Sequence, residues 1–399
     1  MYQNTLADYE SVLASCRFCP MCKPASEVAN VTCMESHSTR SRAILLWRWL
    51  KGIAEPTVRD VELLYQSTLD SISESWCISH YPVSAYSLAG RRRLVAEGRV
   101  PAPVRTALDR SRPDEISGHG SALFVAGEIW ELADRGPWLA AARSALDRLG
   151  VDAAIAVLGN GVIDFALGDN ARARTRVEAL ARVIAERRPQ TIIADGSDTL
   201  FALSKLGPGL GVTLDGDASI VSLVDLVTNA PALRSAATLA GQKVLCHDTR
   251  SATFLADKLA EDGAIQPGFT GPEEVLGRGA IYDRLRDLAR AAGGDAVGGV
   301  WTRSLAKSAG TDDGLWLTYP RLAEAIGRER LAYAKRIGAN AVITDSPLAA
   351  AHLRRLALAQ SDAPAVHWIG ELWRDAHSGD HRPASAVLQP ALAGAPTAS

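Results

Sequence analysis

Nowhere does this chain carry an apolar run long enough to span a bilayer, so no membrane-crossing helix is expected. The first residues, MYQNTLADYESV, lack the basic flank and apolar core of a secretory signal. A cytoplasmic location is the expectation, with association to a membrane-bound partner left open. There is no long basic stripe and the formal net charge is -2, which argues against a nucleic-acid partner. Six cysteines in 399 residues are too few for a disulfide scaffold. A Ser-His-Asp triad, a phosphate loop and a complete dinucleotide fingerprint are all missing; GPGLG at 207–211 follows a helix rather than a strand. What remains is bulk, with 47% hydrophobic residues and enough length for two or three domains.

The cysteines are unevenly placed. Cys16, Cys19 and Cys22 form a C-x-x-C-x-x-C run, and Cys77 stands alone downstream. Thiolates at this spacing can close on one iron–sulfur cube. In two-cluster ferredoxins the run continues to a fourth cysteine, which ligates the other cluster. That fourth position here is Ser26, and counting back from Cys77 places Ser67, Asp70 and Ser73 at the first three positions of a second run. The interleaving rule then gives one complete site, Cys16, Cys19, Cys22 and Cys77, and one wholly vacated site, Ser67, Asp70, Ser73 and Ser26. One [4Fe–4S] cluster is the reading. A structural zinc site is the alternative, although zinc sites more often use two C-x-x-C knuckles. Cys33 rivals Cys77 as fourth ligand by proximity in sequence, but the interleaving does not place it. The four vacated positions are expected to make polar contacts, since iron–sulfur clusters select soft thiolates. Arg17, Lys23 and His80 could raise the cluster potential or simply be surface. Trp47, Trp76 and Tyr81 could cover the cluster or simply pack.

The first hundred residues hold five of the six cysteines and two segments of helical periodicity, 41–53 and 57–72. The stretch from Arg99 to Gly120 reads as a linker. Beyond it, apolar runs at 122–128, 153–159, 191–196, 243–248, 296–301, 340–346 and 365–370 read as buried strands alternating with helices, which implies parallel sheets. IIADGSDTLFALSK (192–205) and VITDSPLAAAHLRR (342–355) form a weak repeat, each reading as strand, turn and helix start. His247-Asp248 after a strand is a weak site signal, read as a turn support. The Ala-, Pro-, Ser- and Gly-rich tail, with His377 and His381, is expected to be disordered.

With these segments in view, the chain resembles the iron–sulfur subunits of glycolate and lactate oxidases, anaerobic glycerol-3-phosphate dehydrogenase and heterodisulfide reductase. The resemblance rests on CRFCPMCKPASEVANVTCMESHSTRSRAILL, LYQSTLDSISESWCISHYPVSAYSLAGR, VLCHDTRSA and VITDSPLAAAHL. It implies an α+β multidomain fold: a helical ferredoxin-like domain at 1–110, two α/β lobes with parallel sheets at 111–235 and 236–376, and a tail at 377–399. Lobes of that family commonly carry paired cysteines. Here Gly196, Thr199, Ser346 and Ala349 occupy the turns, SAGTDDG (308–314) stands where a Cys-Cys-Gly run is expected, and Arg250 stands where a cysteine often sits. The lobes are therefore expected to be metal-free docking surfaces.

The resemblance implies an electron-transfer subunit of an oxidoreductase complex that turns over no substrate alone. Its single cluster would pass electrons between a partner flavoprotein dehydrogenase or demethylase, with old-yellow-enzyme-like proteins and electron-transfer flavoproteins as candidates, and a downstream carrier. Flavin, FMN or FAD, is expected on partner subunits of a hetero-oligomeric complex, not on this chain. The alternative is a structural or assembly subunit whose metal only staples the fold. An independent enzyme with a site between the lobes has no acid–base or nucleophile constellation behind it.

Overall fold

The computed structural model describes residues 3–69, 71–214, 218–231, 233, 237–255 and 280–372. Asp70, His377, His381 and the 377–399 tail lie outside the described residues. Among the described residues no helix is long and apolar enough to cross a membrane.

The first hundred residues are helical. Helices α1 (Glu10–Cys16), α2 (Glu27–Thr32), α3 (Thr39–Leu50), α4 (Val58–Tyr65), α5 (Ser71–Trp76) and α6 (Val83–Ala96) follow in order. Helix α3 buries Ala43, Leu46 and Trp49 at a three-residue spacing, which is one helix face, and Ser38 caps its start by accepting from the Ser41 N–H at 3.2 Å. Thr57 and Asp60 form a capping box at the start of α4. Helix α6 is the centre of the unit. A Cβ at its Gly90 would strike Leu46 of α3, so the glycine sets how closely the two helices pack.

The arginine after that glycine joins the helical unit to the rest. Arg91 is fully buried and donates to the carbonyls of Leu64, Tyr65 and Ser67 and, at 2.7 Å, to that of Ala166 in the first α/β lobe. Glu27 of α2 accepts from the Ser308 N–H of the second lobe and, at 2.7 Å, from the Thr68 hydroxyl. Apolar core runs continuously from Leu6 through both lobes to Leu372.

The segment read as a linker is ordered. It holds α7 (Ala102–Leu108) and strand β1 (Glu115–Ser117). Between them Arg110 bonds the carboxylates of Glu131 at 2.8 Å and Asp164 at 3.0 Å. Pro and Gly content gave the linker reading; buried ion pairing overrides it.

The first sheet has order β1-β3-β2-β4-β5, from β2 (Ala122–Val125), β3 (Ala153–Val157), β4 (Thr191–Ala194) and β5 (Ser219–Ser222). The second is β7-β6-β8-β9, from β6 (Lys243–Cys246), β7 (Asp295–Val297), β8 (Ala341–Thr344) and β9 (Ala365–Trp368), and is wholly parallel. The expectation of two parallel sheets needs one correction. Strand β1 runs antiparallel to β3, so the first sheet is mixed. It joins directly at an exposed edge, with no crossover helix to impose parallel pairing.

The weak repeat extends further than its two segments. In each lobe a left-handed glycine, Gly161 or Gly314, starts a short helix, Val162–Ala166 or Leu315–Thr318. A long helix follows, Asn170–Arg187 or Pro320–Arg336, then the central strand and another helix, Ser197–Phe201 or Pro347–Ala357. The lobes meet through the carboxyl ends of these strands and through Trp138 against Trp368, with ring centroids 5.7 Å apart.

Removing the Arg91 side chain strands several buried carbonyls. Arg91→Ala should lower the unfolding free energy in urea by about 3 kcal/mol or more. Arg174→Ala, which breaks an exposed pair with Glu178, should cost less than about 1 kcal/mol.

Candidate metal centre

Three of the predicted ligands ride on consecutive tight turns. Helix α1 ends at Cys16, the Cys19 N–H bonds the Cys16 carbonyl at 3.1 Å, and Pro20 prevents the helix from resuming. Cys22 then opens a single helical turn, Lys23–Ala25, with Pro24 inside it. Cys77 arrives from the other side, just past α5. Its carbonyl accepts the N–H of His80, whose left-handed backbone (φ 49°) turns the chain back into α6.

Cys16 and Cys22 lie within electrostatic reach of each other and of Cys19 and Cys77. Burial raises both thiols, Cys22 to about 11, and the neighbouring cysteine charges raise them further. Cys16 is raised against a hydrogen bond from Tyr86, whose phenol oxygen lies 3.5 Å from the sulfur. Burial and the Cys16 charge push Tyr86 itself well above its usual value, so it stays a neutral donor. Cys19, Cys22 and Cys77 are half-buried, so the site reaches the surface on one side.

Among the described residues no group of three or more His, Cys, Asp or Glu side chains is gathered tightly enough to hold a single metal ion. A [4Fe–4S] cube would take one thiolate at each iron corner and so spreads its ligands more widely than one ion does. Cys33 stands apart. It is exposed, and its sulfur faces the Asn30 carbonyl at 3.8 Å. Cys246, the sixth cysteine, is buried at the end of β6, and burial pushes its thiol up to about 12.

The vacated positions are filled by hydrogen bonds. Ser26, Ser67 and Ser73 are all buried. Ser26 donates to the His37 carbonyl at 3.5 Å, and the buried Arg42 donates to the same oxygen at 2.7 Å. Ser67 accepts from Arg91 at 3.1 Å, and Ser73 accepts from Thr39 at 2.9 Å. Thr39 therefore touches both the thiol site, through Cys22, and the vacated one. Two buried guanidiniums, Arg42 and Arg91, flank this region, and burial, helped by the Arg91 charge, lowers Arg42 to about 10.

Of the aromatic residues singled out, Trp47 lies under the Arg17 guanidinium at 3.8 Å, and Trp76 stacks on Trp301 of the second lobe at 5.4 Å. His247 accepts from Arg330 at 3.2 Å, and Asp248 takes both arms of Arg286 at 2.8 Å and the Arg303 N–H. That pair supports turns.

One group was not legible as a site. Glu128, Asp195, Asp198 and Asp345 stand just beyond the ends of β2, β4 and β8. Ser346 of the second lobe donates to Glu128, and Ser197 of the first donates to Asp345. Asp195 accepts the N–H groups of Glu128 and Ile129, both at 3.0 Å. A Cβ at Gly196 would meet the Asp345 carbonyl of the second lobe at 2.9 Å as well as the Glu128 carboxylate of its own, so a glycine there permits the close approach of the lobes. Nearby, Arg250 pairs with Asp313 of SAGTDDG, filling both positions where cysteines were expected. Burial, with mutual repulsion, drives Glu128 far above the usual carboxylate range.

No family model matches this sequence, and no curated protein is similar to it. Among solved structures, a hypothetical protein from Helicobacter pylori shares the fold, with a TM-score of 0.54 at 11% identity, over 94% of this chain and 76% of that one. At that identity the likeness is of fold alone.

The interlobe carboxylates have a consequence for pH. Burial raises Asp195 to about 7 and Asp345 to about 6. A raised carboxylate stabilises the fold fully below its unfolded value near 4 and loses that contribution as the pH climbs through the folded value. Thermal stability should therefore fall as the pH rises from about 4 to about 7. Glu128→Gln should flatten that dependence, as differential scanning fluorimetry across pH would show.

Proposed function

We propose that this chain is an iron–sulfur electron-transfer subunit of an oxidoreductase complex. The observation that carries the proposal is the convergence of the Cys77 thiol on those of Cys16, Cys19 and Cys22, from opposite ends of the helical unit. When bound there, a [4Fe–4S] cluster would supply reversible one-electron chemistry. Cys16, Cys19, Cys22 and Cys77 would hold it.

The chain's own groups then have defined tasks. Tyr86 donates a hydrogen bond to the Cys16 sulfur. This donor favours added negative charge at the site and so raises the potential. Leu13 and Leu46, both buried, belong with Cys16 to the core that excludes water behind the site. The one cysteine of the lobes, Cys246, is buried at the end of β6, and serine, carboxylate and arginine groups bond to one another where the lobes meet. That favours a docking role for the lobes over lobe-based chemistry such as disulfide reduction. The family resemblance extends the proposal to a flavoprotein dehydrogenase or demethylase as partner, with the flavin on that subunit, in a hetero-oligomeric cytoplasmic complex.

A structural reading is favoured by one feature. The site ties residues 16–22 to residue 77, as a folding staple would. Redox titration separates the two: a cluster that accepts and returns one electron supports transfer, and one that cannot be reduced leaves only the staple. Two variants refine the test. Cys77→Ser should lose or convert the cluster while Cys33→Ser keeps full iron content and absorbance. Tyr86→Phe should retain the iron but lower the midpoint potential by a few tens of millivolts, about one neutral hydrogen bond's worth.

A further inference from the structure

We propose that the loop surface over Cys19, Cys22 and Cys77 is the electron-exchange face, and that it docks a redox protein whose own face is apolar at the centre and acidic at the rim. This deepens the iron–sulfur reading and rests on it. The apolar centre is built from residues adjoining the ligands. Phe18 is 70% exposed, Met21 58% and Ile78 60%. Among the described residues six large apolar side chains are this open, and these three lie within one residue of a proposed ligand cysteine. Beneath them, the three half-buried thiols make this the side on which the site meets solvent. Exposed apolar groups gathered at one functional point mark an interaction surface.

The rim supplies the partner's charge. Residues 16–26 and 75–82 include Arg17, Lys23 and His80 and no acidic residue. Arg17 lies over both the Phe18 ring, at 4.0 Å, and the Trp47 ring, at 3.8 Å, which holds Phe18 in its outward position. Lys23 and Arg40 share a single acid, Glu35, at 3.1 and 2.9 Å, leaving one positive charge over. The nearest other carboxylates point inward. Glu74 accepts the Ser84 N–H, and Glu27 accepts from Ser308 and Thr68. An apolar centre with a basic rim matches the anatomy of a small, transient interface, and its field steers an acidic partner to the exposed edge. One electron crosses there, and no bond forms or breaks.

The test uses the full chain purified anaerobically with its iron, and three probes: an acidic plant-type ferredoxin, basic cytochrome c, and methyl viologen. Electron exchange is followed by stopped flow. Exchange with ferredoxin should slow about tenfold or more as salt rises from about 50 to about 500 mM. Combining Phe18→Ser, Met21→Ser and Ile78→Ser should slow ferredoxin about tenfold further, with iron content and the methyl viologen rate unchanged. Lys23→Glu alone should slow ferredoxin at low salt and speed cytochrome c. Unchanged ferredoxin rates in both variants, or faster exchange at high salt, would overturn the docking proposal. So would a wild-type dimer that the triple substitution turns into a monomer, since the patch would then serve a second copy. Failure of methyl viologen to exchange with the wild-type chain would instead sink the iron–sulfur reading itself.

Discussion

The fold of the first hundred residues depends on bringing Cys77 back to the run at Cys16, Cys19 and Cys22. Four thiols, two of them largely desolvated, are a costly thing to gather without a ligand. Burial raises the Cys16 and Cys22 thiols, and each would have to lose its proton to hold the proposed cluster, which would couple cluster binding to folding. The helices around the site answer this constraint: α1 delivers one ligand at its last residue, α5 delivers another just past its end, and α6 supplies the Tyr86 donor between them.

The serine-lined region beside the thiol site is closed by hydrogen bonds alone. Ser26, Ser67 and Ser73 supply small acceptors and donors, and Arg42 and Arg91 thread guanidiniums among backbone carbonyls. Arg91 then extends this closure to Ala166, so the filled site also fixes the helical unit on the first lobe. Between the lobes the substitution is again polar for thiol. Arg250 and Asp313 pair there, and serine hydroxyls bridge to carboxylates of the facing lobe.

How much of this the sequence disclosed follows from where each signal resides. The proposed four-cysteine site was read from covalent spacing and a fixed interleaving rule. All seven strands read from apolar runs are present, because a parallel strand buried on both faces announces itself by composition. Strands β1 and β5 were missed. They are three and four residues long, sit at sheet edges and carry little apolar pattern. Arg91 was illegible because it stands in the run Arg91-Arg92-Arg93, which looks like a solvated face; only packing distinguishes the buried one. Glu128 and Ser346 are 218 residues apart and meet only through the tertiary fold. A hint was available, since each such carboxylate lies just after a strand end, but the turns were judged by their missing cysteines alone.

The central claim is that one cube, and one only, is held by Cys16, Cys19, Cys22 and Cys77. Iron and acid-labile sulfide analysis of the anaerobically purified chain tests it most directly. The account predicts about four irons and about four sulfides per chain. Eight irons would mean that the serine-lined site still binds a cluster, and one zinc with no sulfide would mean that no cube is present; either result contradicts the account.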